Sequence, residues 1–176
     1  MPSLAFRLRL FWYRLDKEAC LAALAFGAII GALAFAVQAV MAQRDEALRQ
    51  LQAQHAQNLA CLARNVYFEA RGEPEAGQYA VAEVTMNRRA HPRYPNTVCE
   101  VVHQKSAFSW TDFSLILEAP RGDEWERAQR IAEAVYYGKR LPTLNGALFY
   151  HATYVSPDWS HERQRVTRIG RHVFYR

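Results

Sequence analysis

The sequence has no run of lysines and arginines interleaved with stacking aromatics, so it lacks the usual sign of a nucleic-acid-binding surface, and no nucleic acid is expected as a partner. No two histidines stand at HExxH-like spacing: His151, His161 and His172 are scattered singly, and no metal or cofactor motif is evident. Internal repeats and low-complexity tracts are also missing, which argues for one packed domain rather than a solenoid or a disordered chain. Cysteine is scarce, with three in 176 residues. Charge is absent from one long stretch, Cys20 to Ala42, where only Gln38 is strongly polar.

That stretch is long enough to cross the roughly 30 Å hydrocarbon core of a bilayer as a helix. A signal peptide is the competing reading, since Val40-Met41-Ala42 offers small residues at a cleavage site, but the run exceeds the roughly 7–15 apolar residues of a usual signal core. A buried core helix would need a polar face, and none exists over this length. The expected organisation is a cytoplasmic tail over residues 1–19, a transmembrane anchor over 20–42, a helical stalk over 43–58 and a globular domain over 59–176. Arg7, Arg9, Arg14 and Lys17 precede the span, whereas balanced charges follow it at Arg44, Asp45 and Glu46. This asymmetry predicts a cytoplasmic N-terminus and an exported C-terminal domain held at the cytoplasmic membrane. The formal net charge is +5, and a small basic excess remains after Leu59, weakly suited to an anionic polymer.

Export bears on the cysteines. Cys20 lies in the apolar run, while Cys61 and Cys99 would meet an oxidising compartment, where a disulfide is the default and two buried free thiols the alternative. Residues 43–58 contain neither glycine nor proline and favour helix. Leu59, Leu62, Ala63 and Val66 then recur at helical spacing up to Ala70, and Gly72 is expected to end that helix. Pro74 suits the start of a second helix running to about Ala90. His91 to Asn96 is a proline-broken loop, Thr97 caps a short helix, and Gln104 to Ser114 reads as a surface loop or short strand. Asp123 and Glu126 have capping-box spacing ahead of a helix that stops at Gly138. Near the end, Val166 to Ile169 and His172 to Tyr175 flank Gly170-Arg171 as a small hairpin. The fold class is α+β, mainly helical with a small β element.

The densest chemistry lies in Tyr67-Phe68-Glu69-Ala70-Arg71-Gly72-Glu73. A carboxylic acid that donates a proton near neutral pH needs a raised pKa, which apolar surroundings supply by disfavouring the charged form. Glu69 follows two aromatics and fits that role. Glu73 fits less well, because a position near a helix N-terminus favours its carboxylate. A solvated helix face for Glu69, a charge pair between Glu69 and Arg71, and a capping role for Glu73 are the plainer alternatives.

Several blocks stand in one order: Cys61-Leu62-Ala63, Val66 to Glu73, Val81 to Val84 with Asn87-Arg88, Tyr94 to Cys99, Phe108-Ser109-Trp110, and Tyr150-His151. In this the chain resembles the SleB/CwlJ family of cell-wall hydrolases over about Leu59 to Arg176. The resemblance implies a lysozyme-like fold related to lytic transglycosylases, peptidoglycan as substrate, cleavage at the MurNAc–GlcNAc linkage, and Glu69 as the single catalytic acid. Glu73, Arg71, Ser109, Trp110, Tyr150 and His151 become the candidates for substrate binding or support. Trp110 and Tyr150 would offer flat faces to sugar rings, with core packing as the alternative for both; Tyr79, Asn87 and Arg88 read as structural. Where many relatives continue from Ser-Trp into an Asp-Gly turn, this chain has Thr111-Asp112-Phe113, so the neighbouring loop is expected to differ. The rival functions are a zinc-dependent N-acetylmuramoyl-L-alanine amidase, drawing ligands from His151, His161 and His172, and a catalytically dead peptidoglycan-binding scaffold.

Overall fold

The protein is described by a computed structural model covering residues 17–112, 121–140 and 142–176. Its chain divides into two units, the first ending at Leu51 and the second running from Gln52 to Arg176. In the first unit the helix α1, Lys17–Ala70, carries the only described stretch long and apolar enough to cross a membrane, with none of it buried. Leu24, Phe26, Leu33 and Phe35 are each more than half exposed there, a surface that water alone does not favour. The expected cytoplasmic tail, residues 1–19, lies largely outside the described residues, as do Phe113 and Ser114 of the expected loop.

The helix is unbroken where a stalk and a separate domain helix were expected, because nothing between Gln43 and Ala70 interrupts it. Burial begins at Asn58, whose Oδ1 accepts from the Cys99 backbone N–H at 3.2 Å and satisfies a donor at the start of a later helix. In the second unit α1 presents Leu62, Ala63, Val66 and Ala70 to the core at helical intervals. The helix α2, Glu75–Ala90, follows with Pro74 at its N-cap and lays Ala80, Val81, Ala82 and Val84 inward.

A short helix α3, Val98–Val102, is capped by the Thr97 hydroxyl, which accepts from the Glu100 N–H at 3.3 Å. Cys61 and Cys99 form a disulfide with their Cα atoms 5.3 Å apart, fastening α3 to α1. Ser109–Asp112 forms one helical turn, α4, where a loop or strand was expected. Alternation of aromatic and polar residues imitated a strand there, but Phe108 is buried in the helical core and the chain turns around it. The helix α5, Asp123–Tyr136, starts from Gly122 with φ of 82° and no side-chain cap, so the expected Asp123 cap does not form; Asp123 is already the first helical residue. The other end matches expectation, with Gly138 left-handed at φ of 65°.

Three strands close the chain: β1, Phe149–Ala152; β2, Arg165–Ile169; and β3, His172–Tyr175. The sheet is antiparallel in the order β1-β3-β2, so β3 is central and all four of its residues are buried. β2 and β3 make the expected hairpin; β1 adds a third strand. One core cluster gathers Leu62, Val66, Val98, Val102, Phe108 and Ile131, and a second gathers Ala80, Val84, Leu144, Ala147 and Phe174. Tyr150 packs against both.

Candidate active site

Glu69 sits in the last turn of α1, one residue before its end at Ala70. One helical turn earlier is Asn65, fully buried, whose amide donates to the Thr85 hydroxyl at 3.1 Å and accepts from the Trp110 indole N–H at 3.0 Å. The same helical face thus holds α4 in place and then presents Glu69 beside it. From α4 the Ser109 hydroxyl donates to Glu69 Oε1 at 3.4 Å. From β1 the Tyr150 hydroxyl donates to Glu69 Oε2 at 3.0 Å. Sequence-distant elements converge on one carboxyl group.

Burial pushes the Glu69 carboxyl above the ordinary carboxylate range. Hydrogen bonds from Tyr150 and Ser109, and the nearby Arg88 charge, offset only part of that. Tyr150 moves well above the usual phenol value, first through burial and then because the Glu69 charge opposes a second anion. A cleft of about 330 Å³ opens here, with Glu69, Ser109, Tyr150, His151 and His172 among its lining, and Glu69 is the one carboxylate among the described residues that line it.

Glu73 is built differently. Its side chain is buried, and its Oε2 accepts the Arg171 backbone N–H at 2.8 Å while Oε1 accepts the Arg171 Nε at 2.7 Å. Burial alone would raise its pKa, but the two Arg171 bonds outweigh it and hold Glu73 below the ordinary range. The expected direction holds; the cause is Arg171 on the β2–β3 hairpin rather than a helix terminus. The helix ends just ahead of Gly72, as expected, and the glycine has a second use. It is not among the left-handed glycines, but a Cβ there would come within 3.1 Å of the Arg171 guanidinium, so glycine leaves room for that clamp.

Arg71, a candidate for substrate binding or support, donates to the Tyr67 hydroxyl at 3.0 Å and lies 5.0 Å from that ring's centre; it braces the exposed end of α1. Trp110 supports the site without lining the cleft. Its indole is fastened to Asn65 and its ring centre is 4.9 Å from that of Phe68, so packing takes the face that was expected to meet sugar. His151 lines the cleft, and its ring reaches Tyr175 on β3. There its Nε2 is 2.9 Å from the Tyr175 hydroxyl and its ring stacks on Tyr175 at 5.3 Å. His161 is exposed in a 3-10 turn, His172 is buried in β3, and among the described residues no three His, Cys, Asp or Glu side chains gather as a metal site.

Sequence reading missed Arg171 and the cleft role of Arg88, and named His172 only as a zinc-ligand candidate. Arg171 stood in a hairpin turn whose partner, Glu73, is distant along the chain. Arg88 supports the fold as expected, its Nε donating to the Leu148 carbonyl at 2.8 Å, yet it also lines the cleft and acts on Glu69. His172 lines the cleft beside Tyr150, ring centres 5.0 Å apart, and burial lowers its pKa. Only the histidine's residue type hinted at a site.

A family model described as Cell Wall Hydrolase matches residues 72–175, beginning just after Glu69. The spore cortex-lytic enzyme of Bacillus subtilis (strain 168) is 36% identical over 125 residues, covering 66% of this chain and 37% of that protein. The spore cortex-lytic enzyme of Halalkalibacterium halodurans is 32% identical over 117 residues, covering 66% and 34%. The chain therefore spans little more than a third of the length of these relatives. Among solved structures, the catalytic domain of the Bacillus cereus SleB protein superposes with a TM-score of 0.58 at 31% identity, over 68% of this chain and 91% of that one. The catalytic domain of the germination-specific lytic transglycosylase SleB from Bacillus anthracis gives 0.59 at 31% identity, over 68% and 93%. The mainly helical unit with its small sheet has the fold of these catalytic domains, and the chain belongs to the cell wall hydrolase family.

Proposed function

We propose that this protein is a membrane-anchored lytic transglycosylase that cleaves the MurNAc–GlcNAc bond of peptidoglycan with Glu69 as its only acid and base. The observation that carries the reading is the Glu69 carboxyl, raised by burial, at a cleft wall and touched by the hydroxyls of Tyr150 and Ser109. Protonated Glu69 gives its proton to the glycosidic oxygen, the C1–O bond breaks, and the GlcNAc side leaves with a free hydroxyl. Positive charge then develops at MurNAc C1, next to the new carboxylate. Glu69 takes the proton of the MurNAc 6-hydroxyl, O6 bonds to C1, and the 1,6-anhydro sugar forms as the acid is regenerated. No water is consumed and no second carboxylate is needed.

Glu73 is a support in this reading, since its carboxylate is already occupied by Arg171. Ser109 and Tyr150 steady the Glu69 carboxylate between the two proton transfers. Residues 20–42 are the anchor, with the N-terminus cytoplasmic and residues 59–176 exported, as the exposed apolar surface of α1 and the basic residues before it support. The fold shared with the germination-specific lytic transglycosylase SleB from Bacillus anthracis supports the outcome of the reaction. The test is mass spectrometry of muropeptides released from purified sacculi by the wild-type chain and by Glu69→Gln. Anhydro-MurNAc ends from wild type, and none from the folded variant, are expected. Reducing sugar ends would instead indicate a hydrolase, free stem peptides an amidase, and undiminished release by Glu69→Gln would refute the assignment of the acid.

A further inference from the structure

Arg88 is 8% exposed, yet it has no carboxylate in ion-pair range among the described residues. Its Nε is used by the Leu148 carbonyl, and its guanidinium lies 5.2 Å from the Phe108 ring centre and 5.7 Å from that of Tyr94. The two terminal nitrogens meet no acceptor among the described residues. A buried arginine is ordinarily paired, because removing its charge from water is costly without a counter-ion. Glu69 feels the Arg88 charge, but no ion pair joins the two among the described residues.

Arg88 also lines a second cavity, of about 430 Å³, which shares Arg88, Ala107 and Tyr150 with the Glu69 cleft. Lys105 enters this cavity from the loop before α4, and no acidic residue lines it among those described. Tyr94, Phe149 and Trp159 supply flat apolar walls. Behind them Arg163 lies 3.5 Å from the Phe149 ring centre, adding positive charge. Two cations with aromatic walls and no acid make a site for a carboxylate attached to a larger, partly apolar group. Its volume is of the size that holds one or two sugar-sized units.

We propose that this cavity is an anionic subsite in which Arg88 and Lys105 bind the carboxylate carried on the muramic acid lactyl ether, either as the free acid or through an acidic stem peptide. The inference rests on the glycan-cleaving reading, and it gives the enzyme a preference for muramic acid over uncharged sugar on that side of Glu69. Arg88 supplies a fixed planar donor edge, and exposed Lys105 supplies a movable charge.

The test uses the full chain in detergent, carrying Glu69→Gln so that binding is read without turnover. The probes are soluble glycan strands with their stems, the same strands with every carboxylate converted to a methyl amide, and strands stripped of stems to leave lactyl carboxylates. Lys105→Glu is expected to weaken binding of the stem-bearing strands about tenfold, a loss that grows at low ionic strength, and to change binding of the amidated strands less than about twofold. A loss on stem-bearing strands assigns a stem carboxylate, since the lactyl carboxyl is an amide there; a loss confined to stripped strands assigns the free lactyl carboxylate. Equal weakening on charged and amidated strands, or none on either, overturns the proposal. Anhydro-end formation by the wild-type chain is a separate readout: its absence with intact Lys105-dependent binding would remove the catalytic reading alone.

Discussion

Replacing Gly170 by alanine tests how the Glu69 cleft is held. Gly170 has φ of 56°, so a side chain there costs about 1–2 kcal/mol of left-handed strain. The larger effect is spatial: a Cβ at Gly170 would collide with Glu73 Oε2 and lie 2.9 Å from Pro74 Cδ. The carboxylate cannot step aside without losing the Arg171 N–H and guanidinium, and the proline ring is rigid. Breaking a buried pair costs about 3–5 kcal/mol, but the Arg171 side chain is 65% exposed, so solvent screens part of it and about 2 kcal/mol is the better figure. The total is about 3–4 kcal/mol. Gly138 provides the control, since it shares the left-handed backbone at φ of 65° but a Cβ added to it would meet nothing within 4 Å. Gly138→Ala should therefore cost only the strain, about 1–2 kcal/mol. Thermal unfolding followed by near-ultraviolet circular dichroism should place Gly170→Ala about 10 °C or more below wild type and Gly138→Ala about half as far. Equal shifts for the two variants would refute the clamp.

Reducing the Cys61–Cys99 bond, which closes a separation of 38 residues, should remove about 3–4 kcal/mol, read as a drop in Tm with reductant that a double serine variant does not show. Glu69→Gln should change stability with a definite sign. The folded-state pKa of Glu69 is raised, so its favourable contribution is complete below the unfolded value and is lost as pH rises through the folded one. The variant should thus melt above wild type at pH 8, with the gap closing toward pH 4; a gap of the opposite sign would contradict the burial of the carboxyl. Tyr150→Phe removes the donor to Glu69 Oε2, so kcat on glycan strands should fall about 10- to 100-fold and the high-pH limb of activity should move to higher pH. An unchanged limb would mean that Tyr150 does not act on Glu69.

What could be read from sequence was what depends on neighbours along the chain. The helices through Ala70, Ala90 and Val102 follow from apolar spacing and from Pro74 and Thr97 at their starts. The hairpin of β2 and β3 follows from two strand-like runs about Gly170-Arg171. β1 was less legible, since its four residues are all half-buried and show no in-and-out alternation. At Gly122 the helix start is set by backbone conformation, which the Asp123 and Glu126 spacing imitated. Trp110 illustrates a further limit: an aromatic among the candidate site residues suits a sugar platform, and only the buried Asn65 amide shows that its indole is already engaged.

The two glutamates of one motif show why the site could be half read. They stand four residues apart with the same side chain, and the sequence separates them only by the aromatics before one and the helix start after the other. In the fold, burial acts on both, and the difference lies in the partners. Glu69 meets hydroxyl donors and the Arg88 charge, too little to offset desolvation, and its pKa stays raised. Glu73 meets a guanidinium and a backbone N–H at full hydrogen-bond strength and stays charged. Exchanging the roles would require Arg171 to reach past Gly72, where the hairpin turn is already fitted to Glu73 with no space for a methyl group. The difference between the two carboxyl groups is therefore set by the hairpin at the far end of the chain, which engages Glu73 through Arg171 and leaves Glu69 lining the cleft.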